Sequence, residues 1–417
     1  MNVYALIILL TLIAGYILDL YINLLNLKCL QSGLPQEFQD IYDADRYGKS
    51  QLYTRVNTRF GFLTAGTSLA VTLIFWFSGG FNYLDLLIRG FNLPVIWNGL
   101  IYIGTLLVLR GILSLPFSIY STFVIEARFG FNKTTVRTFI LDLVKVLLLG
   151  IALGGPMLAG ILYFFQYAGP LAWIYCWLAV TLFGLIIQFI APTWIMPLFN
   201  KFAPLAEGEL REAIMAYAQK VQYSLRDIFI MDGSKRSTKS NAFFTGFGKN
   251  KRIALFDTLV QKHTVTELVA VLAHEIGHYK KKHVLKSMLI GILHTGLMFY
   301  LLSIFLSHQG LFDAFYMQNM SSYAGLLFFG MLYAPLEMIL AIFLNMFSRR
   351  NEFQADRFAV ETTGQSAAMI NALKKLSVDN LSNLTPHPLY VFLNYSHPPV
   401  LERIRRLSSF TADVPRK

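Results

Sequence analysis

Three residues in a short segment of the chain have the types and the spacing of a metal-dependent hydrolytic site. Segment 271–283 reads VLAHEIGHYKKKH and contains His274, Glu275 and His278 in the pattern HExxH. On a helix, positions four apart lie on one face, so the two imidazoles can bind one metal ion. Glu275 lies about 100° around the helix from His274, where its carboxylate can take a proton from water that zinc has acidified. The alternative is a helix whose polar residues match this short pattern by chance.

A catalytic zinc site needs a third protein ligand, and the sequence offers one downstream. SRRNEFQADRFA places Glu352 and Asp356 four residues apart, on one helical face. The histidine pair directly precedes one apolar stretch and Glu352 directly follows the next, so two antiparallel helices would bring them to the same membrane edge. We therefore expect Glu352 to join His274 and His278 around one Zn²⁺ per chain, and Asp356 to orient a ligand imidazole through its other nitrogen. The alternative for the acidic residues is a helix cap or a surface pair.

The composition predicts that these residues belong to an integral membrane protein. Of 417 residues, 55% are hydrophobic and 14% are charged, and the mean hydropathy is +0.50. Soluble domains carry about 25% charged residues. The net charge of +12 is typical of surfaces that face anionic lipid or the cytoplasm. We expect membrane lipids as partners and no nucleic acid.

Seven apolar stretches are long enough to cross a bilayer, which takes about 20 helical residues. They lie at 3–24, 61–81, 99–120, 142–168, 171–196, 286–307 and 324–347, and in the fourth the segment LGGPMLAG can kink or break the helix. Lys and Arg are concentrated in alternate loops, with five at 25–60 and three at 121–141, against one at 82–98 and none at 168–171 or 308–323. The positive-inside rule predicts an outer N-terminus and a cytoplasmic C-terminus.

Two polar segments remain, at 197–285 and 348–417, on the predicted cytoplasmic side. The first contains three strand-like runs, RDIFIMD, SNAFFTGF and RIALFDT, and GKNK between the last two is typical of a hairpin turn. We expect one split domain with a small β-sheet, interrupted by helices six and seven at 286–347. Helices one to five occupy 1–196, so the fold class is mainly α.

The combination of several motifs resembles a known family. HEIGH and NEFQAD, with NAFFTGFGKNKRIALFDTL before them and NYSHPPVLERI after them, look like the membrane-embedded CAAX prenyl protease family of zinc metalloproteases. The resemblance covers most of the chain, and it implies a barrel of seven long helices around a water-filled chamber, capped by a zincin-like domain. It also implies that His274, His278 and Glu352 are the zinc ligands. Glu275 then matches the general base, and Asp356 the acid behind the ligands.

The same resemblance extends to residues outside the two main motifs. His397 in YSHPP matches a histidine that stabilises the transition state by donating to the oxyanion; on its own it would be interpreted as a solvated loop histidine. Arg403 matches a recurring position, where it either pairs with an acid or faces water. Asn241 and Ala242 open a strand similar to the edge strand of soluble zincins, which pairs with an extended substrate. The alternative is an ordinary strand in a small sheet.

Two of the histidines that follow the HExxH motif lie close to it on the chain. His283 and His294 have no counterpart among the predicted ligands. Two ligands already come from the HExxH helix face, so we expect these side chains to line a helix or to pack.

These features predict a multi-pass zinc endopeptidase whose peptide or protein substrates carry a lipid or membrane anchor. In the resembled family this means CAAX-type C-terminal processing. The first alternative is a heat-shock-type quality-control metalloprotease, and the second is a non-enzymatic seven-helix transporter or receptor. Short outer loops and the final residues DVPRK, which contain no clear retrieval signal, favour a bacterial cytoplasmic membrane over the endoplasmic reticulum.

Overall fold

The molecule is built around seven long apolar helical segments. The computed structural model describes residues 1–30, 33–245 and 251–412. Within them, the segments long and apolar enough to cross a membrane are Val3–Lys28, Ala44–Phe77, Val95–Glu126, Val136–Tyr167, Gly169–Leu198, His283–Phe305 and Ser322–Thr363. The predicted number of seven is confirmed. Only 6% to 17% of each apolar window is buried, which is expected of helices that face lipid on one side and an open interior on the other.

The secondary structure of the described residues is mainly helical. The helices are α1 (Val3–Lys28), α2 (Ala44–Phe77), α3 (Gly80–Arg89), α4 (Val95–Tyr120), α5 (Val136–Leu149), α6 (Gly155–Tyr167), α7 (Ala172–Ile190), α8 (Glu209–Lys220), α9 (Asp257–Lys262), α10 (Val265–Lys280), α11 (His283–Phe305), α12 (Gln309–Asp313), α13 (Ser322–Thr363), α14 (Ser366–Asp379), α15 (Pro388–Asn394) and α16 (Val400–Ala412). The strands are β1 (Phe202–Pro204), β2 (Leu225–Met231), β3 (Ala242–Thr245) and β4 (Lys251–Phe256).

Wide π-helical turns interrupt the α-helical hydrogen bonding in three of the membrane segments. They span Ser121–Glu126, Gly150–Gly154 and Ala191–Ile195. The second overlaps the start of the segment LGGPMLAG, which the sequence predicts to be a weak point, and it ends two residues before Pro156. A proline there donates no backbone hydrogen bond and its ring crowds the preceding turn, so the ladder must widen.

The helix ends extend further than the apolar stretches indicate. Helix α2 begins at Ala44, although its apolar stretch begins at 61, and α13 continues to Thr363, although its apolar stretch ends at 347. Apolarity marks only the part of a helix that suits lipid, whereas the backbone hydrogen bonds continue beyond that part until a residue ends the helix. The predicted division of the chain at 347 thus falls inside one unbroken helix.

The small sheet precedes the HExxH helix in the sequence, with only the short helix α9 between them. Its strand order is β1-β2-β4-β3, with β2 and β4 parallel and the other neighbours antiparallel. The three predicted strands are present and β3 pairs with β4 as a hairpin, with Ala242 opposite Leu255. Residues 248–250 of the predicted GKNK turn lie outside the described residues. Strand β1 was missed, because three residues that end in proline are too short to show a periodic pattern.

The main apolar core and the predicted metal site lie at opposite ends of α13. Near its start, Phe328 stacks on Phe315 and packs against Phe81, while Trp76 donates a 2.7 Å hydrogen bond to a loop carbonyl. Glu352 follows Phe328 by 24 positions, which is about 36 Å of helix. The core therefore fixes the far end of the helix that carries the third predicted ligand.

A glycine allows the two motif-bearing helices to approach closely. A Cβ at Gly277, inside HEIGH, would lie 3.1 Å from Ala355 Cα and 3.2 Å from Ala355 O. Those distances are too short for backbone atoms that cannot move aside, so a side chain at this position would force α10 and α13 apart. The glycine is thus what lets the histidine pair reach Glu352.

Candidate metal centre

Helices α10 and α13 bring the three predicted ligands together. His274 Nε2 and His278 Nε2 lie 3.2 Å apart, and Glu352 places Oε2 at 3.4 Å from the first and Oε1 at 3.2 Å from the second. Each residue offers one ligand atom, and these atoms all lie within 4.8 Å of one another. His274 and Glu352 are buried and His278 is half-buried, so one side of the cluster remains open.

The donor set fits a catalytic zinc ion. Two imidazole nitrogens and one carboxylate are a known catalytic zinc combination, which leaves a position for water or substrate. Among the described residues, Glu352 Oε2 is buried and accepts no hydrogen bond, an arrangement that is costly unless a cation satisfies the oxygen. Burial lowers the pKa of His274, but its interactions with the carboxylates of Asp356 and Glu352 outweigh burial and raise that pKa to about 9. The surroundings therefore favour positive charge.

A buried ion pair lies directly behind the first histidine. Asp356 Oδ1 lies 2.7 Å from His274 Nδ1, as predicted for an acid that orients a ligand through its other nitrogen. Arg403 on α16 donates to both oxygens of Asp356, at 2.6 and 2.8 Å, and its Nη1 lies 3.6 Å from Glu352 Oε2. Of the two possibilities for Arg403, the structure shows pairing with an acid. The family resemblance singled out this position, but the run LERIRR does not name a partner, so the packing of α16 was needed to choose between the two roles.

Two predicted catalytic residues lie at the open side of the ligand cluster. His397 Nε2 lies 3.3 Å from Glu352 Oε1, its side chain is 65% exposed, and its Nδ1 lies 3.0 Å from Ser396 Oγ. Glu275 is half-buried and lines the same cavity, which has a volume of ≈ 640 Å³. The structure thus brings both residues to one water-accessible space beside the ligands.

The predicted substrate strand forms a wall of this cavity. Asn241 and Ala242 both line it, and β3 is an edge strand of the described sheet. Phe256 N donates to Asn241 O at 3.1 Å, so residues 241 and 256 are a hydrogen-bonded pair, and the alternation of an antiparallel ladder turns the N–H of Ala242 away from β4. Asn241 Oδ1 accepts that N–H at 2.8 Å. The strand therefore presents backbone groups to the cavity side.

The cavity also reaches the membrane helices. Its lining includes Gln188 on α7, Ser287 and Met288 on α11, and Ser348 on α13. A substrate held near the ligands would thus lie against both the polar domain and the apolar helices.

The two histidines without a predicted role differ from each other. His294 contacts Tyr333 and Glu337 inside the helical segments, at 3.1 and 3.3 Å, and among the described residues it belongs to no ligand cluster. His283 is buried and its Nδ1 lies 3.1 Å from His278 Nδ1. Sequence spacing gives no signal for this contact, because positions five apart do not share a helical face.

Most of the chain matches known protein families. Residues 23–201 match the family described as CAAX prenyl protease N-terminal, five membrane helices, and residues 204–411 match peptidase family M48. The chain belongs to the M48 peptidases of the CAAX prenyl protease type. It is 36% identical over 405 residues to CAAX prenyl protease 1 homolog of Arabidopsis thaliana, covering 95% of both chains. It is 33% identical to the Homo sapiens protein of that name, covering 90% of this chain and 89% of the relative.

A solved structure has the same fold. The crystal structure of Ste24p from S. mikatae matches with a TM-score of 0.92 and 34% identity, covering 98% of this chain and 99% of that one. The predicted fold class is confirmed, and so is the prediction of a multi-pass membrane metalloendopeptidase. The non-enzymatic transporter or receptor was the wrong alternative.

Proposed function

We propose that this chain is a zinc endopeptidase that cleaves prenylated CAAX-type proteins at the membrane, with one Zn²⁺ bound by His274, His278 and Glu352. The observation that carries this proposal is the position of the donor set, on the wall of a cavity that reaches the apolar helices α7, α11 and α13. The relatives are named CAAX prenyl proteases, which favours this function over the heat-shock-type alternative.

The chemistry is divided between the metal and a few side chains. A bound zinc ion supplies Lewis acidity, which acidifies water and polarises the peptide carbonyl. Glu275 takes the proton from the attacking water and returns it to the leaving amine. Asp356 keeps the proton of His274 on Nδ1, so that Nε2 is free to bind. His397 donates from Nε2 to the oxygen on which charge develops, while its Nδ1 accepts from Ser396 Oγ.

Substrate binding uses the edge strand and the membrane side of the cavity. The outward N–H of Ala242 can pair with an extended substrate once Asn241 Oδ1 moves away. Pairing through the backbone gives little selectivity for substrate side chains, which suits an enzyme that cleaves varied sequences. A lipid anchor on the substrate would remain among the apolar helices while its peptide lies along β3.

The orientation follows from the distribution of Lys and Arg, with an outer N-terminus and a cytoplasmic catalytic domain. Lys235 on the domain and Asn319 on the loop between α11 and α13 are both exposed. A membrane-impermeant thiol reagent added outside should label Asn319→Cys and spare Lys235→Cys; the reverse would overturn this orientation. The bacterial source membrane stays a prediction, and the relatives named above come from a plant and an animal.

The test of the function uses the full chain in detergent or lipid vesicles. A farnesylated CAAX peptide is compared with the same peptide without the lipid, and zinc is measured by elemental analysis. We expect about one zinc per chain and cleavage of the farnesylated peptide. Glu275→Gln should retain the zinc but lose about 10²–10⁴-fold in rate, because only proton transfer fails.

The outcomes separate the parts of the proposal. Wild-type protein without stoichiometric zinc, or Glu275→Gln with the wild-type rate, would overturn the zinc mechanism. Equal cleavage of both peptides would leave the peptidase intact and remove the requirement for a prenyl group. Glu352→Ala should lose the zinc if Glu352 is the third ligand, and full retention of zinc would remove it from the ligand set.

A further inference from the structure

His283 is a buried histidine that the proposed mechanism does not use. It is 3% exposed, and both of its ring nitrogens have a partner. Nδ1 lies 3.1 Å from His278 Nδ1, and Nε2 lies 3.1 Å from Gln354 Oε1 on α13. A histidine that only filled space would not need both nitrogens to meet polar atoms of two different helices.

The backbone is arranged to produce this contact. In a continuous helix, residues 278 and 283 would lie about 140° apart and could not touch. Helix α10 ends at Lys280 and α11 begins at His283, with Lys282 between them in the left-handed conformation (φ 59°, ψ 30°). That conformation costs energy for a residue with a side chain. It turns the chain so that the first side chain of α11 lies back against the last turn of α10.

Binding of a metal through His278 Nε2 would assign a donor and an acceptor to each contact in this chain. His278 directs Nε2 toward Glu352 and His274, so Nε2 is the atom that would bind the metal. A neutral imidazole bound through Nε2 carries its only proton on Nδ1 and donates it. His283 Nδ1 must then accept, which places the proton of His283 on Nε2. Gln354 Oε1 accepts that proton, so every donor meets an acceptor.

We propose that His283 is a positioning residue for the metal site, which holds His278 in the Nδ1–H tautomer and fixes the orientation of its ring. The inference rests on the proposed function, because it assigns His278 as a ligand. Asp356 performs the same task for His274 with a carboxylate. His283 and Gln354, a neutral pair, orient the second ligand, His278. Their contact also links the start of α11 to α13. Each histidine ligand thus has its own supporting acceptor.

If His283 only packs, the expected order of zinc affinity for its Leu and Asn variants is the reverse of the order expected if it acts as a hydrogen-bond acceptor. Leu is apolar and fills much of the space of the imidazole, but it accepts nothing. Asn is smaller and polar, and its Oδ1 lies close to where His Nδ1 stood. If His283 acts as an acceptor, His283→Asn should retain zinc better than His283→Leu. If His283 only packs, His283→Leu should be the better replacement.

The experiment measures zinc affinity, which does not depend on peptidase activity. The full-length wild type and both variants are titrated with zinc against a chromophoric chelator, and the absorption spectrum of the cobalt-substituted protein reports the ligand geometry. We expect His283→Leu to bind zinc about 10–100-fold more weakly, as is typical when the partner of a ligand is lost. His283→Asn should lie between it and the wild type, with a wild-type cobalt spectrum. Thermal unfolding of the metal-free proteins checks folding.

A histidine on the same helix provides the control. His294→Leu changes a histidine of α11 that contacts no ligand, so zinc affinity should stay at the wild-type value. Gln354→Leu should weaken zinc binding less than His283→Leu, because His283 Nδ1 can still accept. If His283→Leu does not fold, the zinc affinities of His283→Asn and Gln354→Leu, compared with the wild type, test the role as acceptor.

Each result supports or overturns the inference. Wild-type zinc affinity in His283→Leu would overturn it, and so would a His283→Asn variant that is as weak as, or weaker than, His283→Leu. An altered cobalt spectrum in a folded His283→Asn would also contradict the role as acceptor. A wild type that binds no zinc would instead refute the proposed function, so the two failures are distinguishable.

Discussion

The site has a buried half and an open half, built on different principles. In the buried half, His274, Asp356 and Arg403 form a network of ion pairs between α10, α13 and α16. In the open half, His397 is 65% exposed and the N–H of Ala242 donates to the adjacent Asn241 side chain. The first half holds its charged groups in buried ion pairs, whereas the second keeps its groups available.

The difference shows where each kind of function can be located. Metal binding needs fixed geometry, and a buried network of ion pairs provides it, although the loss of one partner leaves an uncompensated charge. In the proposed mechanism, recognition of substrate and oxyanion needs groups that can exchange partners, and the candidate groups lie at an exposed loop and a sheet edge. Changes in the buried half should therefore affect stability and zinc together, while changes in the open half should affect only kinetics.

The largest effect is expected for Arg403→Met. Burial lowers the pKa of Arg403, but the adjacent Asp356 outweighs burial and raises it above its ordinary value. The arginine is therefore always charged, and its removal leaves buried carboxylates unpaired. We expect a loss of about 3–5 kcal/mol in the free energy of unfolding, together with weaker zinc binding, measured by denaturant unfolding and by zinc titration.

Arg403→Lys is the matched control. Lysine retains the charge but cannot donate to both oxygens of Asp356 in the same planar geometry. Its stability and zinc affinity should lie between those of the wild type and the Met variant. Unchanged unfolding of Arg403→Met would contradict the view that this half depends on complete pairing.

An intermediate effect is expected for His397→Ala. Its hydrogen bond to the developing oxyanion forms mainly in the transition state, so kcat should fall by about 10²–10³-fold with a smaller change in KM. Zinc content and thermal stability should stay at the wild-type values, because the side chain is mostly exposed. A fall in zinc content would place His397 in the buried half, and a change in KM alone would refute the oxyanion role.

The smallest effect is expected for Ala242→Pro. This variant removes one outward N–H without touching the ladder between β3 and β4. One hydrogen bond contributes about 1 kcal/mol, so kcat/KM for peptide should fall by roughly 5-fold at unchanged zinc content. Phe243→Pro is the control, because residue 243 pairs with Ala254 and its N–H faces β4. It should destabilise the fold. Wild-type cleavage by Ala242→Pro would refute the edge-strand proposal.

The sequence predicted the elements that have local or repetitive signals. Seven apolar stretches, the HExxH helix and the β3–β4 hairpin were all visible in spacing and composition. The position of Glu352 followed from the shortness of the loop between two apolar stretches. The ends of α2 and α13 and the three-residue strand β1 were missed, because hydropathy and periodicity say little about where backbone hydrogen bonding begins and ends.

The sequence by itself therefore determined which residues could bind zinc and that a membrane would surround them. Only the tertiary structure decided how those residues are supported. Arg403 reaches Asp356 because α16 packs across α13, and His283 reaches His278 because Lys282 adopts a left-handed conformation. Helical and strand periods repeat along the chain and can be read from it. Contacts made across a turn or between distant helices depend on packing, which leaves no periodic trace in the sequence.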